Sequence, residues 1–343
     1  MQDIKALALT ELEHKLLSWD FPKYHAQQIF SWIYQKGAFD FDSMSNLPLA
    51  LRKRLASEFY ILGLALADLQ VSSDGTSKFL FELTDKHLVE AVNIPVAKRT
   101  TGCISSQVGC KFCCQFCASG TTGFQRNLTV GEILDETLYL KNNTQGAELT
   151  HIVFMGTGEP LDNYENVLKA IRIINSPDAL NIGARRITIS TSGIIPGIQK
   201  LAAEDLQVEL SISLHAAGDK MRSQIMPVNK IYPLADLIKC CREYIAQTNR
   251  QITFEYILIK GLNCGLGAAQ DLAILLKDLR LAKVNLIPAN PVPDLKIFSP
   301  AKAEIEEFKE YLCKSGINVT LRQARGQDIA AACGQLRLRH EQK

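Results

Sequence analysis

The chain has 343 residues, 47% hydrophobic and 22% charged, which is enough apolar material for one large α/β unit with a small accessory piece and excludes a disordered chain. Its 38 Lys+Arg against 36 Asp+Glu leave a net charge of +2, so a uniformly basic nucleic-acid coat is excluded while local basic faces stay open.

The start, MQDIKALALTELEHKL, mixes charges through its apolar positions, and no apolar run approaches the ~18 residues of a membrane span. A cytoplasmic chain that uses no membrane is expected. Its 10 cysteines then point to metal binding or redox chemistry before structural disulfides. Residues 1–60 read as a helical accessory domain, because Leu12, Leu16 and Leu17, then Ile29, Phe30, Ile33 and Tyr34, recur at helical spacing with breaks at Pro22, Gly37 and Pro48. Phe79-Leu80-Phe81 and Leu88-Val89, separated by Thr84-Asp85-Lys86-His87, predict a β-hairpin linker over 61–95. Residues 91–131 carry Lys98, Arg99, Lys111 and Arg126 and no acid, and the tail from Arg322 holds five basic and two acidic residues. Each stretch reads equally as solvated surface or as an anion or RNA contact.

From 96 to 343, β-rich runs at Ile152–Met155, Ile187–Thr191, Val208–Leu214, Ile252–Ile259, Val284–Ile287 and Ile317–Leu321 alternate with helical patterns. Strand-helix alternation predicts a parallel sheet. Six or seven such units, with apolar runs buried on both faces, predict a closed or partly closed barrel.

The segment VGCKFCCQFCASGTTGFQRN holds Cys110, Cys114 and Cys117 at the spacing C-x3-C-x2-C, with Cys113 as an extra neighbour. Four cysteines within eight residues are not packing residues, and soft thiolates suit zinc or an iron–sulfur cluster. Two abutting C-x2-C halves wrap one zinc ion awkwardly. Three thiolates on a cubane leave one iron open to a substrate. Thr129-x-x-Glu132 is a capping box, so the loop lies between a strand and a helix, where barrel active sites are built. Met155-Gly156-Thr157-Gly158-Glu159-Pro160 follows the strand Ile152-Val153-Phe154 and by itself reads as an ordinary strand-end turn.

Together these segments resemble the radical S-adenosylmethionine (SAM) enzymes, whose three-cysteine loop holds a [4Fe–4S] cluster with SAM on the open iron and whose Gly-Glu-Pro segment meets the SAM amino group. Cys103-Ile-Ser-Ser-Gln-Val-Gly-Cys110, Ser190-Thr-Ser-Gly, Ser213-Leu-His, Ile287-Pro-Ala-Asn290-Pro and Ala331-Ala-Cys333-Gly-Gln-Leu narrow the resemblance to the RlmN/Cfr family. Thr157 stands where many relatives carry Met. Pro160, Ser192 and Arg325-Gly326 look like the branch that methylates carbon 2 of adenosine in 23S ribosomal RNA and tRNA.

The resemblance implies a partial (βα)6 barrel, a monomer, and an electron donor such as flavodoxin or ferredoxin. The RNA it implies is protein-free or in an assembling large subunit. Carbon 2 of adenine is not nucleophilic, so a radical route is required. Cys333 is implied to take a methyl group from one SAM, while a second SAM gives the 5′-deoxyadenosyl radical that activates it. Glu90 matches the family's proton acceptor, and Cys103 would release the product by forming a disulfide with Cys333. SAM would lie against Gly158, Glu159, Ser190, Ser213, Leu214, His215 and Asn290. Taken alone, Glu90 reads as an outward strand residue and His215 as a structural histidine. Cys240, Cys241, Cys264 and Cys313 read as packing residues. The competing functions are a carbon-8 methyltransferase and a non-catalytic iron–sulfur or zinc RNA-binding module.

Overall fold

The structure, a computed structural model, describes residues 1–343 except Leu62, Lys98, 118–119, 121–122, Gln145, 290–296, Ala324, Gln327 and 330–343. Three helices, α1 (Leu9–Leu17), α2 (Tyr24–Phe30, prolonged by a π-helical turn) and α3 (Leu49–Glu58), form the amino-terminal unit. Their apolar stripe, including Leu12, Leu16, Ile29, Ile33, Leu51 and Leu55, is buried, as helical spacing requires. Helical periodicity did not reveal how the unit closes. β1 (Gln2–Asp3) pairs in parallel with β2 (Phe59–Tyr60) and joins its two ends.

The remaining strands are β3 (Ala65–Val71), β4 (Ser77–Glu82), β5 (Leu88–Val96), β6 (Arg99–Ile104), β7 (Gln107–Val108), β8 (Arg126–Asn127), β9 (Leu149–Phe154), β10 (Ile187–Thr191), β11 (Glu209–Ser213), β12 (Ile252–Leu258), β13 (Ala282–Pro288) and β14 (Asn318–Leu321). The helices between them are α4 (Val130–Asn142), α5 (Tyr164–Asn175), α6 (Ile195–Ala202), α7 (Asp219–Ile225), α8 (Leu234–Thr248), α9 (Leu266–Leu276) and α10 (Lys302–Lys314). One sheet runs β14-β13-β12-β11-β10-β9-β6-β5-β4-β3. From β6 through β14 its pairs are parallel, giving a partial (βα)6 barrel with β14 appended. β3, β4 and β5 continue the sheet as an antiparallel meander. The expected hairpin is thus two of three strands, and β5 pairs directly with the first barrel strand. β3 was not legible because Leu66, Leu69 and Val71 are exposed. No helix among the described residues is long and apolar enough to cross a membrane.

Parallel register sorts the side chains. Ile104, Ile152, Phe154, Ile189, Ile212, Phe254, Val284 and Leu286 are buried on the helix-covered face. On the inner face, Cys103 stands opposite Val92 and Val153, Val153 opposite Thr188, Ser190 opposite Ser211, and Ser213 opposite Glu255. The helix-covered face is therefore wholly apolar at these positions, while the inner face mixes Val153, Ile257 and Ile287 with polar groups, in place of the expected burial by hydrophobes on both. The inner polar groups satisfy one another: Asn285 donates to Glu255 Oε2 at 2.8 Å and receives a bond from Thr320 Oγ1 at 3.0 Å, as buried polar atoms require.

Lys5 fastens the amino-terminal unit to the barrel. Its wholly buried ammonium lies 3.0 Å from Asp3 and 3.3 Å from Asp135 of α4. Removing one member of such a set leaves buried charge uncompensated. Lys5→Ala should therefore lower the unfolding free energy by about 3–5 kcal/mol, read as a fall in the urea midpoint. Disrupting the surface pair Lys86–Glu82 should leave that midpoint unchanged.

Candidate active site

The cysteine loop springs from the end of β6 and is gathered at a narrow neck. Val108 pairs with Arg126 and Gln107 with Asn127 in the β7–β8 ladder. Gly109 adopts φ +75°, and a Cβ there would sit 1.7 Å from the Gly123 carbonyl oxygen, so the neck admits no side chain at this position. Lys111 pairs with Asp162, and Arg126 pairs with Asp85 and Glu132. Those two cations hold the loop rather than forming an open anion face. At the loop's far end the capping box is present: Thr129 Oγ1 accepts from Glu132 N, and Glu132 Oε2 accepts from Thr129 N.

Within the loop, Cys110, Cys114 and Cys117 are partly buried while Cys113, at φ +49°, is exposed. Burial pushes the Cys110 thiol up to about 12, with further repulsion from Cys117, Glu159 and Asp162. Burial pushes Cys114 higher still, and Cys117 and Cys110 add to it. Cys110 and Cys114 thus resist ionisation on their own, so a cationic guest is needed to hold them as thiolates. Among the described residues no three His, Cys, Asp or Glu side chains close around a single ion. A three-thiolate [4Fe–4S] cluster fits this donor set, since its ligands bind separate irons.

The Gly156–Pro160 turn locks onto the stem of that loop. Gly156 N donates to Ile104 O, Thr157 N to Ser105 Oγ, and Ser106 N to Thr157 O. A Cβ on Gly156 would lie 2.7 Å from the Ile104 carbonyl, and one on Gly158 (φ +106°) 2.6 Å from Gln107 Cβ. The buried Glu159 carboxylate accepts from Leu161 N at 3.0 Å, Ser192 N at 2.7 Å and Ser192 Oγ at 2.8 Å. Burial raises its pKa and these bonds oppose the rise. Its oxygens therefore brace two strand-end turns, those after β9 and β10.

Ser190 and Ser213 lie near the ends of β10 and β11. His215 follows Leu214 at φ +58°, buried, with Nδ1 accepting from Ile257 N at 3.0 Å. Burial, helped by Arg222, lowers its pKa to about 3. The imidazole is thus neutral, with the proton on Nε2. Its ring meets the edge of Phe116, between two of the loop cysteines, at 4.6 Å.

Glu90 and Cys103 come together on the inner face, because Val92 stands opposite Cys103 and Glu90 is two residues along the same strand. Lys78, also opposite Val92, places its wholly buried ammonium 2.9 Å from the Glu90 carboxylate. Cys333 and Asn290 lie outside the described residues. The approach to Cys333 is tethered, since Asp328 accepts from Ser72 Oγ and Ser73 N, and Asp74 accepts from Gly326 N. Cys240, Cys241 and Cys264 are buried, but Cys313 is exposed and does not pack. Lys78 and Arg222 carried no sequence signal, because a cation on a strand or a short helix ordinarily reads as surface.

Residues 2–61 match the ribosomal RNA large subunit methyltransferase N-terminal domain, and residues 104–264 the radical SAM superfamily. The probable dual-specificity RNA methyltransferase RlmN of Symbiobacterium thermophilum is 45% identical over 100% of this chain and 93% of its own. The dual-specificity RNA methyltransferase RlmN of Nitratiruptor sp. is 44% identical over 98% of each chain. A radical SAM methyltransferase from Sphaerobacter thermophilus, 43% identical, superposes with a TM-score of 0.93 over 98% of this chain and 99% of that one. Kinship at this level over the whole length, with a three-thiol loop seated at the mouth of the barrel, means that the chain belongs to the RlmN family of radical SAM RNA methyltransferases.

Proposed function

We propose that the chain methylates carbon 2 of adenosine in 23S ribosomal RNA and in tRNA, as a cytoplasmic monomer reduced by a flavodoxin- or ferredoxin-class donor. The observation that carries this reading is the register that sets Glu90 and Cys103 side by side on the inner face, where an acid–base group and a thiol can address one base. Cys110, Cys114 and Cys117 would hold the cluster, which when bound would supply the electron for reductive cleavage of SAM. Gly158, Glu159, Ser190, Ser213, Leu214, His215 and Asn290 receive SAM, and the Glu159 carboxylate also braces the turns after β9 and β10.

Cys333 carries the methyl carbon on its sulfur and delivers it to the base. Glu90 takes the proton from carbon 2, and Lys78 stays beside it as the countercharge. Cys103 attacks the Cys333 sulfur as a thiolate, so that a sulfur–sulfur bond forms as the carbon–sulfur bond to RNA breaks; the released carbon keeps that electron pair and takes up a proton to become the methyl group. An external thiol then reduces the disulfide. The tether at Asp74 and Asp328 supports this role by anchoring the segment that leads to Cys333 beside β4 and Lys78.

Anaerobic reconstitution should load about four irons per chain. Cys114→Ala should lose the cluster and Cys113→Ala keep it; iron and sulfide analysis showing the reverse rejects the ligand assignment.

Nucleosides from RNA treated with the enzyme should contain 2-methyladenosine. A dominant 8-methyladenosine peak on chromatography against both standards would assign the other branch.

After reaction with SAM and reductant, Cys103→Ala should stall with RNA bonded through Cys333, while Cys333→Ala should neither be methylated nor bond RNA. Intact-complex mass spectrometry reads both. Full turnover by Cys103→Ala, or an adduct in Cys333→Ala, contradicts the division of roles.

A further inference from the structure

Arg222 is the largest of the wholly buried side chains, and no step above uses it. It lies on α7, whose last residue, Ile225, offers its carbonyl to Gln115 N of the cysteine loop at 2.9 Å. Nε donates to Leu214 O at 3.1 Å, and Nη2 donates to Ser192 O at 2.7 Å and to Ser213 O at 3.2 Å. Nη1 donates to Asn229 Oδ1 at 2.8 Å. One planar fork thus joins the turn after β10 to the end of β11, a geometry that a lysine ammonium cannot reproduce.

All four bonds end on neutral oxygens. A buried guanidinium in that setting is costly unless an anion lies within its field. The bond from Gln115 N to Ile225 O sets the helix that bears Arg222 directly against the cysteine loop, at the residue after Cys114. Each electron added to a thiolate-bound cluster increases its negative charge, and a fixed buried cation favours the more negative state.

We propose that Arg222 is a positioning residue with two separable roles: its fork holds the SAM-receiving turns in register, and its charge favours reduction of the cluster bound by Cys110, Cys114 and Cys117. The proposal rests on the SAM and cluster assignments given under the function above. It adds a residue that touches neither SAM nor iron.

The test uses full-length chains reconstituted anaerobically, with iron content, SAM affinity by equilibrium dialysis, and cluster potential by reductive titration followed by electron paramagnetic resonance. Arg222→Lys retains the charge and loses the fork, so its potential should match the parent while SAM binds at least tenfold more weakly. Arg222→Gln loses both, so its equilibrium constant for reduction should fall at least tenfold, which is about 59 mV for one electron.

If Arg222→Gln does not hold iron, the exchange Asp219→Asn with Asn229→Asp reads the charge alone. It preserves a bond between these two side chains, which now runs from Asn229 Nδ2 to Asp219 Oδ1, and moves the negative charge onto the guanidinium. Its potential should fall while SAM affinity stays at the parent value. Parent-like SAM affinity in Arg222→Lys overturns the positioning role, and a parent-like potential in Arg222→Gln or in the exchange overturns the electrostatic one. A parent chain that binds neither iron nor SAM would overturn the site assignment itself, and this inference with it.

Discussion

Two strand-end turns interlock at Gly156 and Gly158, and the site depends on that contact. The backbone of the turn after β9 lies so close to the stem leaving β6 that a methyl group at either glycine would overlap backbone or side-chain atoms of residues 104–107. The contact lets Ser105 Oγ bridge the Glu90 carbonyl and the Thr157 amide, at 2.7 and 2.9 Å. The strand bearing Glu90, the stem of the cysteine loop and the turn leading to Glu159 are therefore joined through one hydroxyl. A side chain at Gly156 would separate all three.

The inner face follows from the same register. A parallel sheet covered by helices on one side needs only every second residue to be apolar, which leaves alternate positions open to Ser, Thr, Glu, Asn and Cys. Such a face is stable only if its polar groups pair, and Ser105, Asn285 and Glu255 do so. The division explains why Cys103 and Ser190 can share a surface although 87 positions separate them in the sequence.

Much of this was legible in the sequence, and the exceptions have physical causes. The six later strands showed as runs because each buries a helix-facing row. The capping box at Thr129 showed because its two side chains are local. β6, the strand expected before the cysteine loop, had no legible bounds because Arg99-Thr-Thr-Gly-Cys carries few hydrophobes, and Gly102 takes the helix-facing position where a Cβ would meet Leu140 at 2.9 Å. The cysteine spacing marked the loop, yet its neck is made by Gly109 and Gly123, whose contact is tertiary. Glu159 was legible as a candidate SAM contact, but the bonds its oxygens accept from Leu161 and Ser192 were not, because they depend on two strands reaching the same layer. Arg222 and Lys78 were invisible for a related reason, since burial of a cation is decided by packing and leaves no periodic trace.

Those two cations show contrasting uses of buried charge. Lys78 is in contact with Glu90 at 2.9 Å, and a contact pair behaves as a dipole whose field falls steeply beyond its partner. Its influence is confined to the carboxylate it holds. Arg222 donates to neutral oxygens, so no contact ion pair cancels its charge and its field extends into the low-dielectric interior around it. A proton acceptor needs its countercharge beside it, because the charge that changes is its own. A cluster that accepts an electron into delocalised orbitals is served by a fixed charge at a distance, held by hydrogen bonds that the electron's arrival does not disturb. In the function proposed, Glu90 with Lys78 has the first arrangement, and Arg222, on the helix bonded to the cysteine loop at Gln115, has the second.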